Sequence, residues 1–141
     1  MIRELRKADI SKVADIWLDT NRKAHDFIPA QYWNRNFEMV KESLPKAEVY
    51  VYENDKGIQG FIGLNGEYIE GIFVADRMQS HGIGKSLLSY AKDKRNKLHL
   101  NVYQRNTRAI AFYLREGFEI QCSGLDEATG EKEYGMVWQQ K

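Results

Sequence analysis

The chain has 141 residues, 43% of them hydrophobic, and its 21 Lys and Arg against 20 Asp and Glu leave a formal net charge of +1. A chain of this length buries roughly 68–70% of its unfolded surface, so one domain over residues 1–141 is expected, with no disulfide or metal staple needed. The 2 prolines and 11 scattered glycines exclude collagen-like and low-complexity chains, and no apolar run reaches the roughly 20 residues of a membrane helix.

The elements can be taken in chain order. Met1 to Leu5 alternates and predicts a short first strand. From Ile10 the period changes: Val13, Ile16, Trp17, Thr20 and Ala24 share one helical face, with Asp9 or Ser11 as the cap. Pro29 closes this element, because the residue before a proline is pushed out of helical conformation. A second helix is predicted over Ala30–Ser43, with Trp33, Phe37 and Val40 inward, and Pro45 stops it.

Val49 to Tyr52, Ile58 to Leu64 and Tyr68 to Val74 then read as a three-strand meander, with turns at Asn54-Asp55-Lys56-Gly57 and Asn65-Gly66. Next come an amphipathic helix from Gly84 to about Lys94, a strand from Leu98 to Val102, and a helix from Asn106 to Glu116. Phe118–Leu125 and Glu133–Trp138 pair as a closing hairpin. The order β-α-α-β-β-β-α-β-α-β-β predicts an α/β (α+β) chain, a mixed sheet with helices on both faces.

The near-neutral charge conceals a segregation. Residues 1–76 sum to −3, residues 77–115 to +8 and residues 116–141 to −4. The single Cys122 admits no intrachain disulfide, and Arg3 and Glu4 come too early for a secretory segment, so a reducing cytoplasm is expected. His25, His81 and His99 are far apart and remote from Cys122, which leaves no metal-ligand spacing.

The stretch Gln79-Ser80-His81-Gly82-Ile83-Gly84-Lys85-Ser86 sits between a predicted strand and a predicted helix. Two glycines spaced by one residue permit a backbone path closed to other residues. At a helix N-terminus the free N–H groups and the positive dipole end suit a phosphate. Gly84-Lys85-Ser86 lacks the upstream glycine of a nucleoside-triphosphatase loop, whose place Gln79 takes, and the dinucleotide fingerprint is incomplete.

Gln79-x-x-Gly82-x-Gly84, with Leu87-Leu88 behind it, is followed by Asn106-x-x-Ala109-x-x-x-Tyr113-x-x-x-Gly117-Phe118. Together these resemble the acetyl-CoA-binding core of the GNAT superfamily of N-acetyltransferases, and the element order matches that fold along essentially the whole chain. The His25-Asp26-Phe27 segment and the small size are similar to the YjaB-type bacterial members. The resemblance implies transfer of an acetyl group from acetyl-CoA directly to a primary amine of a small molecule, peptide or protein. It implies that Gln79, His81, Gly82, Ile83, Gly84, Lys85 and Ser86 line the pyrophosphate site, that Asn106 lies near the pantetheine amides, and that the third meander strand splays from Leu98–Val102. A backbone N–H near Phe73 or Val74 would then polarise the thioester carbonyl.

It further implies that Tyr113 is the general acid at the sulfur. For the base, the residues leave Glu70, His25 or a water-mediated route open. Glu70 interrupts an apolar strand, a setting that raises a carboxylate's pKa toward a useful range; a strand-end glutamate that faces solvent is the equal alternative. His25 and Phe27 lie where such enzymes place the acceptor amine, and His99 is expected as a hydrogen-bonded core or cleft residue. One departure is that related sequences often have a proline shortly after the third meander strand, where this chain reads Val74-Ala75-Asp76. A non-catalytic acyl-CoA sensor on the same fold is the alternative reading. A nucleic-acid module lacks any aromatic-studded basic strand or recognition helix. The chain is expected as a monomer or homodimer without metal.

Overall fold

In the computed structural model, which describes residues 1–141, the main elements follow in chain order as β1 (Ile2–Glu4), α1 (Ile10–Ala24), α2 (Ala30–Ser43), β2 (Glu48–Asn54), β3 (Gly57–Asn65), β4 (Tyr68–Val74), α3 (Ile83–Lys94), β5 (Lys97–Tyr103), α4 (Thr107–Arg115), β6 (Glu119–Asp126) and β7 (Glu131–Gln139). The strands form one sheet in the order β1-β2-β3-β4-β5-β7-β6. Every pairing is antiparallel except β4 with β5. The last strand of the chain thus inserts between β5 and β6.

Alternation along the strands divides the core between the two faces. On one face Tyr50, Ile62, Leu64, Ile69, Leu98, Leu100, Val102 and Met136 pack against Ile83, Leu87, Leu88 and Ala91 of α3 and Tyr113 of α4. On the other, Val49, Val51, Ile58 and Phe61 pack against Val13, Ala14 and Ile16 of α1, with Phe37 and Val40 of α2 alongside. Asn21, not Ala24, is buried at the end of the α1 stripe, because that turn faces a polar contact described below. Asp9 stands at the α1 N-cap without capping it. Its carboxylate accepts from the Arg3 guanidinium at 2.7 Å and from the Arg6 N–H at 2.8 Å, while Arg3 also reaches Glu53 at 2.9 Å, which ties β1 to the start of α1.

On the α1–α2 side the packed core stops at β4. The apolar even-numbered residues of β5 and β7 belong to the core with α3 and α4, so the odd-numbered ones point to the opposite side, where His99 and Asn101 are exposed and Tyr103 and Glu133 are half-buried. Of the two expectations for His99, core or cleft, the core one fails. The residue lies on the open face beside Tyr68, with ring centroids 5.1 Å apart.

The sheet is nearly divided between β4 and β5. Gly63 pairs with Gly71 and Leu64 with Ile69, so Glu70 is an extra, bulged residue. After the single pair Tyr68–His99, the two parallel strands separate. On its other edge β4 presses close to β3. A Cβ on Gly60 would lie 2.8 Å from the Phe73 carbonyl oxygen, and one on Gly71 would lie 2.4 Å from the Phe73 ring, which stacks on Phe61 at 4.8 Å. A Cβ on Gly63 would meet nothing closer than 3.6 Å. Gly60→Ala is therefore expected to cost about 1–3 kcal/mol by overpacking, whereas Gly63→Ala stays within about 1 kcal/mol. Urea melts of the two variants check this, and equal midpoints would contradict it.

Candidate active site

The gap between β4 and β5 exposes backbone that a continuous sheet would consume. The Ala75 N–H donates to the Gln59 carbonyl at 2.8 Å, and the pairs Phe73–Phe61 and Gly71–Gly63 share its parity in the ladder. Alternate residues of an antiparallel strand turn their backbone groups to opposite sides. Ile72 and Val74 thus present their N–H and C=O groups to the gap, and the Phe73 N–H is turned toward β3. Of the two candidates from sequence, the cleft-facing amide is that of Val74. Ala75 needs the N–H that a proline would lack, a structural use for the departure noted in the sequence.

Beyond β4 the chain curls through a 3-10 turn at Asp76–Met78 and enters α3 with Gly82 at the N-cap, φ 82°, where no side chain caps the helix. Ser80 is also left-handed, φ 67°. The first α3 bond is Ser86 N–H to the Gly82 carbonyl at 3.0 Å, so no backbone N–H from Ser80 to Lys85 donates to a protein acceptor. This run of free amides at a positive helix end is the feature that an anionic diphosphate needs. Ser86 Oγ also donates to the Gly82 carbonyl, and the His81 and Lys85 side chains are exposed.

Gln79 locks the loop to its surroundings. Its Nε2 donates to the Val74 carbonyl at 3.2 Å, and its Oε1 accepts from Arg108 Nη1 at 2.9 Å, while Arg108 Nη2 donates to Ser80 Oγ at 3.0 Å. Arg108 is the positioning group that the motif reading missed. In the sequence it was one of nine cations in a basic segment, and only the structure shows it reaching from α4 to the loop. Other cations of that segment are also in use. Lys92 donates to the Glu116 carbonyl at the end of α4 and lies over the Trp138 ring, Lys94 lies over Tyr50 and Tyr90, and Arg95 pairs with Glu48 and donates to the Gly66 carbonyl.

Helix α4 closes the gap from the side. Asn106 caps it, Oδ1 accepting from the Ala109 N–H at 3.2 Å. Phe112 rests against Gly84, where a Cβ would lie 3.6 Å from the ring. Tyr113 is 8% exposed, and its hydroxyl makes no hydrogen bond to the protein. Burial first, and then the neighbouring Tyr68, push that phenol well above its ordinary value, so it stays protonated at neutral pH. Glu70 is exposed at the bulge, the solvent-facing one of the two placements that its sequence allows.

An aromatic group spans the acceptor side. His25 stacks on Trp33 at 5.5 Å and meets Phe27 and Tyr103 edge-on at 5.7 and 4.9 Å. Tyr103 donates to Asp126 Oδ2 at 2.7 Å, and Arg105 lies over the Phe27 ring. Sequence placed His25 and Phe27 at the acceptor, and both are half-buried here. Both ring nitrogens of His25 are within hydrogen-bond distance of side-chain amides, Nδ1 of Asn21 and Nε2 of Asn106.

The comparisons with known proteins bear on this geometry. A family model described as an acetyltransferase (GNAT) domain matches residues 45–120. The chain belongs to the GNAT acetyltransferases. It is 35% identical over 130 residues to the peptidyl-lysine N-acetyltransferase YiaC of Escherichia coli K12, covering 90% of this chain and 89% of that protein. It is 32% identical to the peptidyl-lysine N-acetyltransferase YjaB of Salmonella typhimurium, covering 84% and 83%. The solution structure of apo YjaB from E. coli superposes with a TM-score of 0.88 at 24% identity, over 100% of this chain and 98% of that one. The fold is shared by YncA of Salmonella typhimurium, solved with acetyl-CoA, at a TM-score of 0.72, over 100% of this chain and 94% of that one. This GNAT chain is therefore an acetyl-CoA-dependent N-acetyltransferase acting on a primary amine. The free amides from Ser80 to Lys85 and the cleft-facing groups of Ile72 and Val74 suit such a donor.

Burial lowers the His25 imidazole from its ordinary 6.5 to about 4. Between these values the unfolded chain binds the proton and the folded one does not, so this group makes stability fall as pH drops through that window and adds nothing further below it. His25→Gln is expected to remove this part of the acid slope. Urea melts of both proteins at steps from pH 7 to pH 4 check it, parallel slopes being the contrary result.

Proposed function

We propose that this chain acetylates lysine side chains of peptides or proteins, in a reducing, cytoplasmic setting. The observation that carries the reading is the face of β5 that runs past Tyr68, His99 and Asn101, where His99 and Asn101 are exposed, and that is bounded at Tyr103 by His25 and Phe27. A long, thin amine on an extended chain reaches the gap across such a face. The half-buried Glu133 carries no ion pair among those of the structure, and burial together with Asp126 raises its pKa; a cationic partner would relieve both. The two peptidyl-lysine relatives support the same acceptor class.

Acetyl-CoA supplies the activated acetyl thioester; the chain supplies position, charge and a proton. The amides from Ser80 to Lys85 hold the pyrophosphate, with Arg108 and Gln79 keeping the loop in shape. The Val74 N–H faces the negative charge that develops on the carbonyl oxygen, a contribution on the order of 3 kcal/mol to the barrier. The acceptor amine enters neutral, having given one proton to water beside the exposed Glu70, and its nitrogen bonds to the carbonyl carbon. As the carbon–sulfur bond breaks, the Tyr113 hydroxyl gives its proton to the sulfur, and the second proton of the amine returns to Tyr113 through solvent. The bond formed is an amide and the group released is the protonated thiol, so atoms and charge balance.

The Tyr113 hydroxyl is not among the buried unpartnered polar atoms, so solvent reaches it through the residue's 8% exposure. Tyr113→Phe is therefore expected to leave Tm nearly unchanged while lowering kcat about 100-fold or more with little change in acetyl-CoA affinity. Full kcat in that variant would remove Tyr113 from the acid role. For the acceptor, thiol release is compared between peptides with a blocked α-amine and one internal lysine and a panel of polyamines, free amino acids and aminoglycosides. Peptides are expected to give the highest kcat/KM, and a small amine in first place would overturn the peptide reading.

A further inference from the structure

The Asn106 amide fixes the sense of a chain of hydrogen bonds between the two sides of the cleft. Its Oδ1 accepts from the Ala109 N–H, so its Nδ2 is the donor that lies 3.1 Å from His25 Nε2. A donor at that position requires a lone pair on Nε2, which puts the ring proton on Nδ1. Nδ1 lies 3.0 Å from Asn21 Oδ1, and the Asn21 Nδ2 donates in turn to the Trp17 carbonyl at 2.9 Å. Only one set of amide orientations and one tautomer satisfies all four links. Trp33, Phe27 and Tyr103 hold the ring on its remaining sides.

We infer that His25 is a positioning residue: as the neutral Nδ1–H tautomer it fixes the Asn106 cap, and so couples the end of α1 to the helix that carries Tyr113 and Arg108. The inference rests on the reading of the β4–β5 gap as the acetyl-CoA site. His25 and Asn106 are 81 residues apart, and this contact joins the acceptor-side helix pair directly to α4. It commits one hydrogen of the Asn106 amide to the ring. A histidine that bound the acceptor or took its proton would need a free nitrogen, and both are engaged.

His25→Phe keeps the ring's bulk and removes the acceptor atom. Acetyl-CoA affinity, measured by calorimetry with no amine present, is expected to weaken about fivefold to tenfold, in line with one lost internal hydrogen bond. His25→Gln, whose Oε1 can accept, restores affinity to within about twofold of the original. Asn106→Ala weakens it by a similar factor, and adding His25→Phe to that variant changes little more, because the two act as one unit. Unchanged affinity in His25→Phe, additive effects in the double variant, or a change confined to the KM of the amine would each overturn the inference. Failure of the unaltered protein to bind acetyl-CoA would remove the cleft reading instead. A long-range proton–nitrogen NMR spectrum of the free protein then still decides the relay: Nδ1–H at neutral pH supports it, and Nε2–H or an imidazolium overturns it.

Discussion

A β-strand in the middle of a sheet has backbone groups on both edges that must be paired, and β4 leaves those of one edge unpaired over half its length. The bulge at Glu70 turns the strand just after its only pairing with β5, at Tyr68 and His99. From there Ile72 and Val74 face a gap. An orphaned amide in a protein interior is unfavourable unless water or a ligand satisfies it, and the half-exposed Ile72 and Val74 leave theirs within reach of either. The other features serve to keep this gap open and furnished. Gly60 lets β4 lean onto β3, Gly71 leaves room for the Phe73 ring of its own strand, Gln79 satisfies the Val74 carbonyl while leaving its N–H, and α4 brings Tyr113 to the side.

The charge asymmetry of the chain takes on a different meaning in three dimensions. The +8 segment suggests a broad basic field for a polyanion. In the structure Lys92, Lys94, Arg95 and Arg108 are held by carbonyls, aromatic rings, a carboxylate and loop side chains. Near the loop, Arg77 and Lys85 stay exposed beside the free backbone amides, while Arg108 holds Gln79 and Ser80 and so acts on the loop's shape.

Much of the fold was legible in the sequence, because helix and strand periods are local. The bounds of α2 and β4 match expectation to the residue, and the others differ by a residue or two at the ends, except that α1 stops at Ala24, well before the Pro29 expected to close it. The tight turn into α3 was legible for the same reason, since a left-handed Gly82 is written in one short stretch. What was not legible depends on which face of a strand is covered. His99, between two buried leucines, reads as core or cleft alike, and only the extent of the packed core on its side of β5 decides between them. Glu70 reads as enclosed or solvent-facing alike until the bulge exposes it. The His25–Asn106 contact has no local signature, since each residue looks complete within its own segment.

The gap also has a consequence for how the molecule breathes. In most sheets the central strands are the last to exchange their amide hydrogens and the edges the first. Here the order is inverted at the centre: the cleft-facing amides of Ile72 and Val74 have no partner in the free chain, while those of Gly71, Phe73 and Ala75, one residue away, are held by β3. Protection along β4 thus alternates residue by residue, and the strand that organises the fold doubles as a built-in record of whether its ligand is present.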